Sequence, residues 1–210
     1  LSSDGTILAA SGNRNDGGGN DSGHVRVYQY SNNDWTQIGQ DIDGEAAADE
    51  SGYDISLSED GTIVAIGAPY NDANGSMSGH VRVYQFASGS WSQLGNDIDG
   101  EAGGDTSGLS VSLSNDGTIL AIGATGVISN GTGSGQVRVY QYANDAWTQI
   151  GQDIDGDNAY YRMGSAVSLS SDGTILAAGA YAGASTRGTV RIYQWNGTDT
   201  WNQLGSDING

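Results

Sequence analysis

Apolar and polar residues alternate along short runs of this chain, and the runs recur in sets of four. In the second set, Asp54-Ile55-Ser56-Leu57-Ser58 alternates with a period of two and ends at the Asp60-Gly61 turn. The apolar run Thr62-Ile63-Val64-Ala65-Ile66-Gly67-Ala68 follows, then His80-Val81-Arg82-Val83-Tyr84-Gln85-Phe86, then Trp91-Ser92-Gln93-Leu94-Gly95 leading into Asp97-Ile98-Asp99-Gly100. Period-two runs bounded by Gly and Asp-Gly predict strands joined by tight turns. Nothing between the runs has a helical period, so each set predicts a four-stranded antiparallel meander.

The sets repeat. Asp4, Asp60, Asp116 and Asp172 each precede Gly-Thr-Ile at steps of 56 residues. Val25, Val81 and Val137 keep that step and Val190 follows 53 later; Trp35, Trp91 and Trp147 keep it and Trp201 follows 54 later. The shortened fourth copy implies a deletion in its middle loop. One repeat domain over residues 1–210 is expected, with copies near 1–50, 51–106, 107–162 and 163–210.

Both faces of each sheet carry bulk. In the third run Val81 and Val83 point one way, and Arg82, Tyr84 and Phe86 the other, so every sheet must be covered on both sides. The small residues of the second run predict close approach by a neighbouring sheet that brings in the aromatics of the next copy. Four-stranded sheets stacked around an axis at this repeat length predict an all-β fold, a β-propeller of four-stranded blades, with a linear stack of sheets as the alternative. The first copy lacks its first strand, and four full units need 14 residues more than the 210 present. A neighbouring chain or further sequence is expected to fill that edge, and the chain reads as a mature piece of a longer protein or one protomer of a polymer.

Charge narrows the partners. There are 25 acidic and 7 basic residues, all of the latter arginine, for a formal net charge of -18. Nucleic acid and anionic membranes need clustered positive charge, so neither is expected as a partner. No apolar run is long enough to span a membrane as a helix. Without cysteine, disulfides and thiolate chemistry are excluded. The 35 glycines fall at fixed phases between strands, as turns require.

Gly164-Ser165-Ala166-Val167-Ser168-Leu169-Ser170, Ile175-Leu176-Ala177-Ala178-Gly179-Ala180 and Gly188-Thr189-Val190-Arg191-Ile192-Tyr193 resemble the FG-GAP repeat of integrin alpha-chain propellers. Asp97-Ile98-Asp99-Gly100-Glu101-Ala102 and Ser58-Glu59-Asp60-Gly61-Thr62 are similar to the integrin-like repeats of secreted and cell-surface proteins of aquatic bacteria and algae. The resemblance spans essentially the whole chain. It implies an extracellular or cell-surface location, a binding or structural role, and no catalysis. Integrin-type repeats often carry an Asp-x-Asp-x-Asp-Gly calcium loop between the first two strands; here Ser-x-Asp-Gly-Thr, with one carboxylate, stands in that place.

Calcium has a second candidate place. Asp41, Asp43 and Glu45 recur as Asp97, Asp99 and Glu101 and as Asp153, Asp155 and Asp157, with Asp49 and Asp105 beyond the first two sets. Oxygen ligands alternating around a glycine suit calcium, and an acidic interblade connector is the competing reading. Arg26, Arg82, Arg138 and Arg191 share one phase, two residues before Tyr28, Tyr84, Tyr140 and Tyr193. They read as structural, pairing with turn aspartates, with a sugar-stacking surface as the alternative. Trp35, Trp91, Trp147 and Trp201 likewise read as interblade packing or as lectin-type aromatics. His24 and His80 give way to Gln136 and Thr189, which argues against acid–base chemistry in every copy. Asn20, Asn74, Asn130 and Asn196 begin glycosylation triplets that are also ordinary turn sequences. No nucleophile–base–orienter set, zinc spacing or phosphate loop is recognisable.

The expectation is a non-catalytic extracellular scaffold for structure or adhesion, a glycoprotein, that is part of a larger surface protein or assembles as an oligomer or filament. Its partners are then itself, other surface proteins or glycans. The alternative is a lectin-like module holding glycans or calcium.

Overall fold

The computed structural model describes residues 1–181 and 188–210, all in strands, turns and loops. Among the described residues, nineteen strands form four antiparallel sheets. The second sheet shows the plan: β5 (Ile55–Leu57), β6 (Ile63–Ala68), β7 (His80–Ala87) and β8 (Ser90–Gln93) pair in sequence order. β9 (Ile98–Asp99) then returns to pair with β7, a fifth short strand that the run pattern, which joined this segment to the fourth, did not separate.

The third sheet repeats the plan with β10 (Ser107–Leu113), β11 (Ile119–Ala124), β12 (Gln136–Ala143), β13 (Ala146–Gln149) and β14 (Ile154–Asp155). The fourth has β15 (Met163–Leu169), β16 (Ile175–Ala180), β17 (Thr189–Trp195), β18 (Trp201–Gln203) and β19 (Ile208–Asn209). The first sheet holds β1 (Ile7–Gly12), β2 (His24–Ser31), β3 (Asp34–Gln37) and β4 (Ile42–Asp43), with β1 in the place of a second strand. The sheets are the blades of a β-propeller-like fold. The shortened middle loop of the fourth copy falls largely outside the described residues.

Each blade starts from the same local chemistry. In the Ser-x-Asp-Gly-Thr turn, Asp60 accepts hydrogen bonds from the Ser58 hydroxyl and from the backbone and hydroxyl of Thr62, while Gly61 takes φ 71°. The side chain thereby ties off the turn that β6 leaves from.

First strands form the inner layer. The Val111 amide donates to Asp54 Oδ2 at 2.8 Å, and the Leu113 and Leu169 amides donate to the Ser56 and Ser112 hydroxyls at 3.0 Å. Between blades lie three apolar clusters, for instance Val25, Val27, Ile42, Val64, Ile66 and Trp91.

The second strands receive the tyrosines of the next blade as expected, Ala65 clustering with Tyr140 and Ala121 with Tyr193, but their glycines and the tryptophans meet other neighbours. Gly67 is approached by the Gly108 backbone of the next blade's first strand, not by an aromatic. Trp91, Trp147 and Trp201 instead lie on the preceding blade, over the glycine that follows its fourth strand, at Gly39, Gly95 and Gly151 in turn. The chain direction decides this, because β8 sits at the outer edge, where the neighbour offers a turn rather than β6.

Candidate functional site

The repeated charged residues pair across blade boundaries. Arg82 donates to the Asp43 carbonyl at 2.8 Å and lies 3.3 Å from Glu45; Arg138 does the same with the Asp99 carbonyl and Glu101. Arg191 is clamped between Asp157 and Asp207, and its charge pulls both carboxyls below the usual range. Arg26 instead binds Asp41 of its own blade through Nε and Nη2. Arg82 and Arg138 lie over Tyr84 and Tyr140, and Arg191 over Tyr161.

The acids of one Asp-Ile-Asp-Gly-acid motif therefore serve different partners. Asp41, Asp97 and Asp153 accept from Gln37, Gln93 and Gln149. Asp155 accepts from Gln136 and Ser129, while Glu45, Glu101 and Asp157 face the arginine of the following copy. Asp49 and Asp105 are buried and accept the Ala46 and Ala102 amides inside the connecting loops. One atom each from His24, Asp41 and Asp43, and one each from Glu45, His80 and Asp97, do lie within 4.8 Å of one another.

Trp91 and Trp201 are buried at 4% and 2%, whereas Trp35 is 39% exposed. Asn20, Asn74, Asn130 and Asn196 are all exposed. Asn74 and Asn130 donate to the Gly100 and Gly156 carbonyls at 2.9 Å, and Asn196 caps its own turn through the Thr198, Asp199 and Thr200 amides.

A different region has the form of a ligand site. A hollow of about 470 Å³ opens where consecutive blades begin, lined by Tyr53, Tyr70, Thr106, Leu109, Thr125, Thr132, Tyr160 and Arg162 among others. That volume suits a small molecule. Two smaller hollows adjoin it through the shared Leu109, one bordered by Tyr53, Asp54, Ser110 and Ser165, the other by Thr125, Arg162, Ser165 and Tyr181.

Aromatic rings and hydroxyls both face the hollow. Tyr53 and Tyr70 meet edge to face at 6.1 Å, and the Thr106 and Thr125 hydroxyls lie 3.2 Å apart. Burial raises the Asp54 carboxyl above its usual range, against the amides of Val111 and Ile55 that lower it.

Glu50, Thr106 and Arg162 occupy one repeat phase, and all three take left-handed φ values of 51°, 54° and 55°. Non-glycine residues there are held against a steric penalty, a pattern that concentrates at functional sites. Sequence reading passed over these residues because it followed positions that repeat. The available signal was the reverse: one phase that changes from acid to hydroxyl to cation while the frame around it stays constant.

The model of the FG-GAP repeat matches residues 41–84, which hold the acidic connector, β5, β6 and most of β7. No curated protein matches the chain by sequence. Among solved structures, the chain is similar to one described as a "putative 6-phosphogluconolactonase" from Bacteroides uniformis. The TM-score is 0.63 at 16% identity, over 100% of this chain and 53% of that one. It is also similar to the periplasmic gluconolactonase of Pseudomonas aeruginosa, with a TM-score of 0.51 at 15% identity, over 95% of this chain and 67% of that one. The chain thus spans about half the length of the first. At such identities the likeness is one of fold.

These matches correct the expectation of a non-catalytic scaffold without enzyme activity. Solved structures on this architecture are described as lactonases, so repeated blades do not argue against chemistry. The earlier exclusion rested on seeking catalytic sets within the repeat, whereas the hollow is built where the copies differ. Residues 41–84 are thus an FG-GAP-like repeat, set in a chain of four phased sheets folded as propeller-like blades.

Proposed function

We propose that the hollow beside the first strands binds a small cyclic ester of the sugar-acid class and that the protein hydrolyses it. One observation carries the reading: Arg162, in a strained backbone position, borders a hydroxyl-rich hollow adjoining Asp54, a partly buried carboxylate of raised pKa. The descriptions of the two similar propellers supply the substrate class.

In this reading the lactone carbonyl oxygen faces the Arg162 guanidinium, which balances the charge that develops as the carbonyl carbon becomes tetrahedral. Asp54 takes a proton from the attacking water, and a raised pKa makes it a stronger base than an ordinary aspartate. The acyl carbon–oxygen bond breaks, the ring oxygen takes up a proton, and a hydroxy acid leaves. The Thr106 and Thr125 hydroxyls and the tyrosines hold the sugar hydroxyls. The same reading puts the protein outside the cytoplasm, in keeping with the FG-GAP match and the periplasmic neighbour.

The test is acid release from D-glucono-δ-lactone by the full chain, measured against the spontaneous rate. A rate above background that falls about 100-fold in Asp54→Asn and in Arg162→Ala supports the assignment. A wild-type rate equal to background between neutral and mildly acid pH overturns it.

A further inference from the structure

His80 is 1% exposed, and its imidazole makes no direct bond to Asp97 or Asp99. Its Nδ1 lies 3.9 Å from Asp97 Oδ2 and 4.0 Å from Asp99 Oδ1, both beyond hydrogen-bonding reach. Asp99 Oδ1 is itself buried without a partner. Glu45, from the connector of the preceding blade, brings a carboxylate oxygen to within 4.8 Å of the His80 and Asp97 ligand atoms.

In the third and fourth copies the two side chains at this place are bonded directly. In the third, Gln136 stands for His80 and Asp155 for Asp99, and Gln136 Nε2 donates directly to Asp155 Oδ1 at 3.0 Å. In the fourth, Thr189 donates to Asn209 at 3.0 Å. Only the second copy, among these three, leaves its pair apart, with two carboxylates converging on a buried imidazole.

The geometry points to a divalent transition-metal site formed by His80, Asp97 and Glu45, with Asp99 Oδ1 4.0 Å from the imidazole beside them. Ligands on a tetrahedral zinc ion, each about 2.0–2.2 Å from the metal, stand roughly 3.3–3.6 Å apart, so ligand atoms within 4.8 Å of one another close by at most about 1.5 Å. Imidazole selects zinc-like ions over calcium, whose ligands are oxygens. Arg82 is 3.3 Å from Glu45, and three carboxylates outweigh its charge. The first copy is poorer, because Arg26 grips Asp41 of the His24, Asp41 and Asp43 group through two hydrogen bonds at 2.7 and 2.9 Å, closer than Arg82 comes to Glu45. None of these residues lines the hollow of the proposed lactone site, so the two proposals stand or fall separately.

Titration of the full chain with Co²⁺, read by visible absorption, and with Zn²⁺, read by calorimetry and thermal melting, tests the site. One equivalent is expected, with a cobalt spectrum that includes nitrogen ligation and a melting midpoint raised by Zn²⁺. His80→Gln installs the residue that the third copy uses at this phase, so it should fold, weaken binding at least about 10-fold and abolish the midpoint rise. Asp97→Asn, which leaves the imidazole in place, should weaken binding similarly. No cobalt spectrum, unchanged binding in both variants, or equal binding of Ca²⁺ and Zn²⁺ overturns the proposal.

Discussion

Trp91 Nε1 donates to the carbonyl of Ile38, in the preceding blade, at 3.0 Å. Trp147 repeats the bond to Leu94 at 2.8 Å and Trp201 to Ile150 at 3.1 Å, so one indole per boundary both fills an apolar slot and satisfies a backbone carbonyl. Truncating Trp91 to alanine forfeits packing and the bond together, and should cost about 3–5 kcal/mol in denaturant unfolding. Trp35, 39% exposed and stacked only on Tyr30 of its own blade, should cost about 1 kcal/mol when truncated. Equal losses for the two would contradict the boundary role.

A second pair of substitutions separates close approach from strand composition. A Cβ on Gly67 would stand 2.0 Å from the Gly108 carbonyl oxygen, which belongs to backbone and cannot rotate away. At the same repeat position a Cβ on Gly179 would lie 3.4 Å from the Ala166 carbonyl, without a positive φ. Gly67→Ala should destabilise by about 3 kcal/mol, by forcing adjacent blades apart. Gly179→Ala should be neutral or stabilising by up to about 1 kcal/mol, because alanine restricts the unfolded chain more than glycine. Thermal melts of the two variants beside the parent read the contrast.

What the sequence made legible follows from which constraints repeat. Asp60, Val81, Arg82 and Trp91 each recur at one phase in all four copies, so their spacing alone outlined the strands and the blade. β9 was merged with its neighbour because two residues carry no period of their own. The tryptophan slot was misplaced because strand order across a boundary, rather than composition, decides that Trp91 meets Gly39 and not the alanines of a second strand. The hollow was invisible for a deeper reason. Tyr53, Thr106 and Arg162 are distant in sequence and unlike one another, and only the stacking of blades brings them to one opening.

The acidic surface has a defined working range. Two ligands hold Asp41 down to about 2: the Arg26 guanidinium first, then the Gln37 amide. The Ser170 hydroxyl and the Thr174 backbone and hydroxyl hold Asp172 down to about 2. Both folded values lie below the unfolded aspartate value near 3.9, so these groups stabilise the fold fully above about pH 4. That contribution is lost as pH falls from about 4 through 2. Melting midpoints should be flat in this respect from pH 7 to about 5 and should drop steeply below 4, and Asp172→Asn should make the drop shallower. A midpoint insensitive to acid down to pH 2 would refute the assignment.

Arg162 allows stability and chemistry to be separated at one residue. Its φ of 55° is costly for any side chain, and among the described residues its guanidinium forms no hydrogen bond or ion pair that would offset the cost. Glycine accepts that backbone angle freely, so Arg162→Gly should leave the fold intact and raise its stability by about 0.5–1 kcal/mol. Glu50 has the same backbone, but its carboxylate holds Arg14 at 3.2 Å and the Asn13 amide at 2.9 Å. Glu50→Gly therefore gains the same relief and loses two contacts, for a net change near zero. If Arg162 is kept in its strained place for the ligand, the glycine variant is the more stable protein and the poorer lactone hydrolase. A variant that is more stable and equally active would show that the strain serves something other than the hollow.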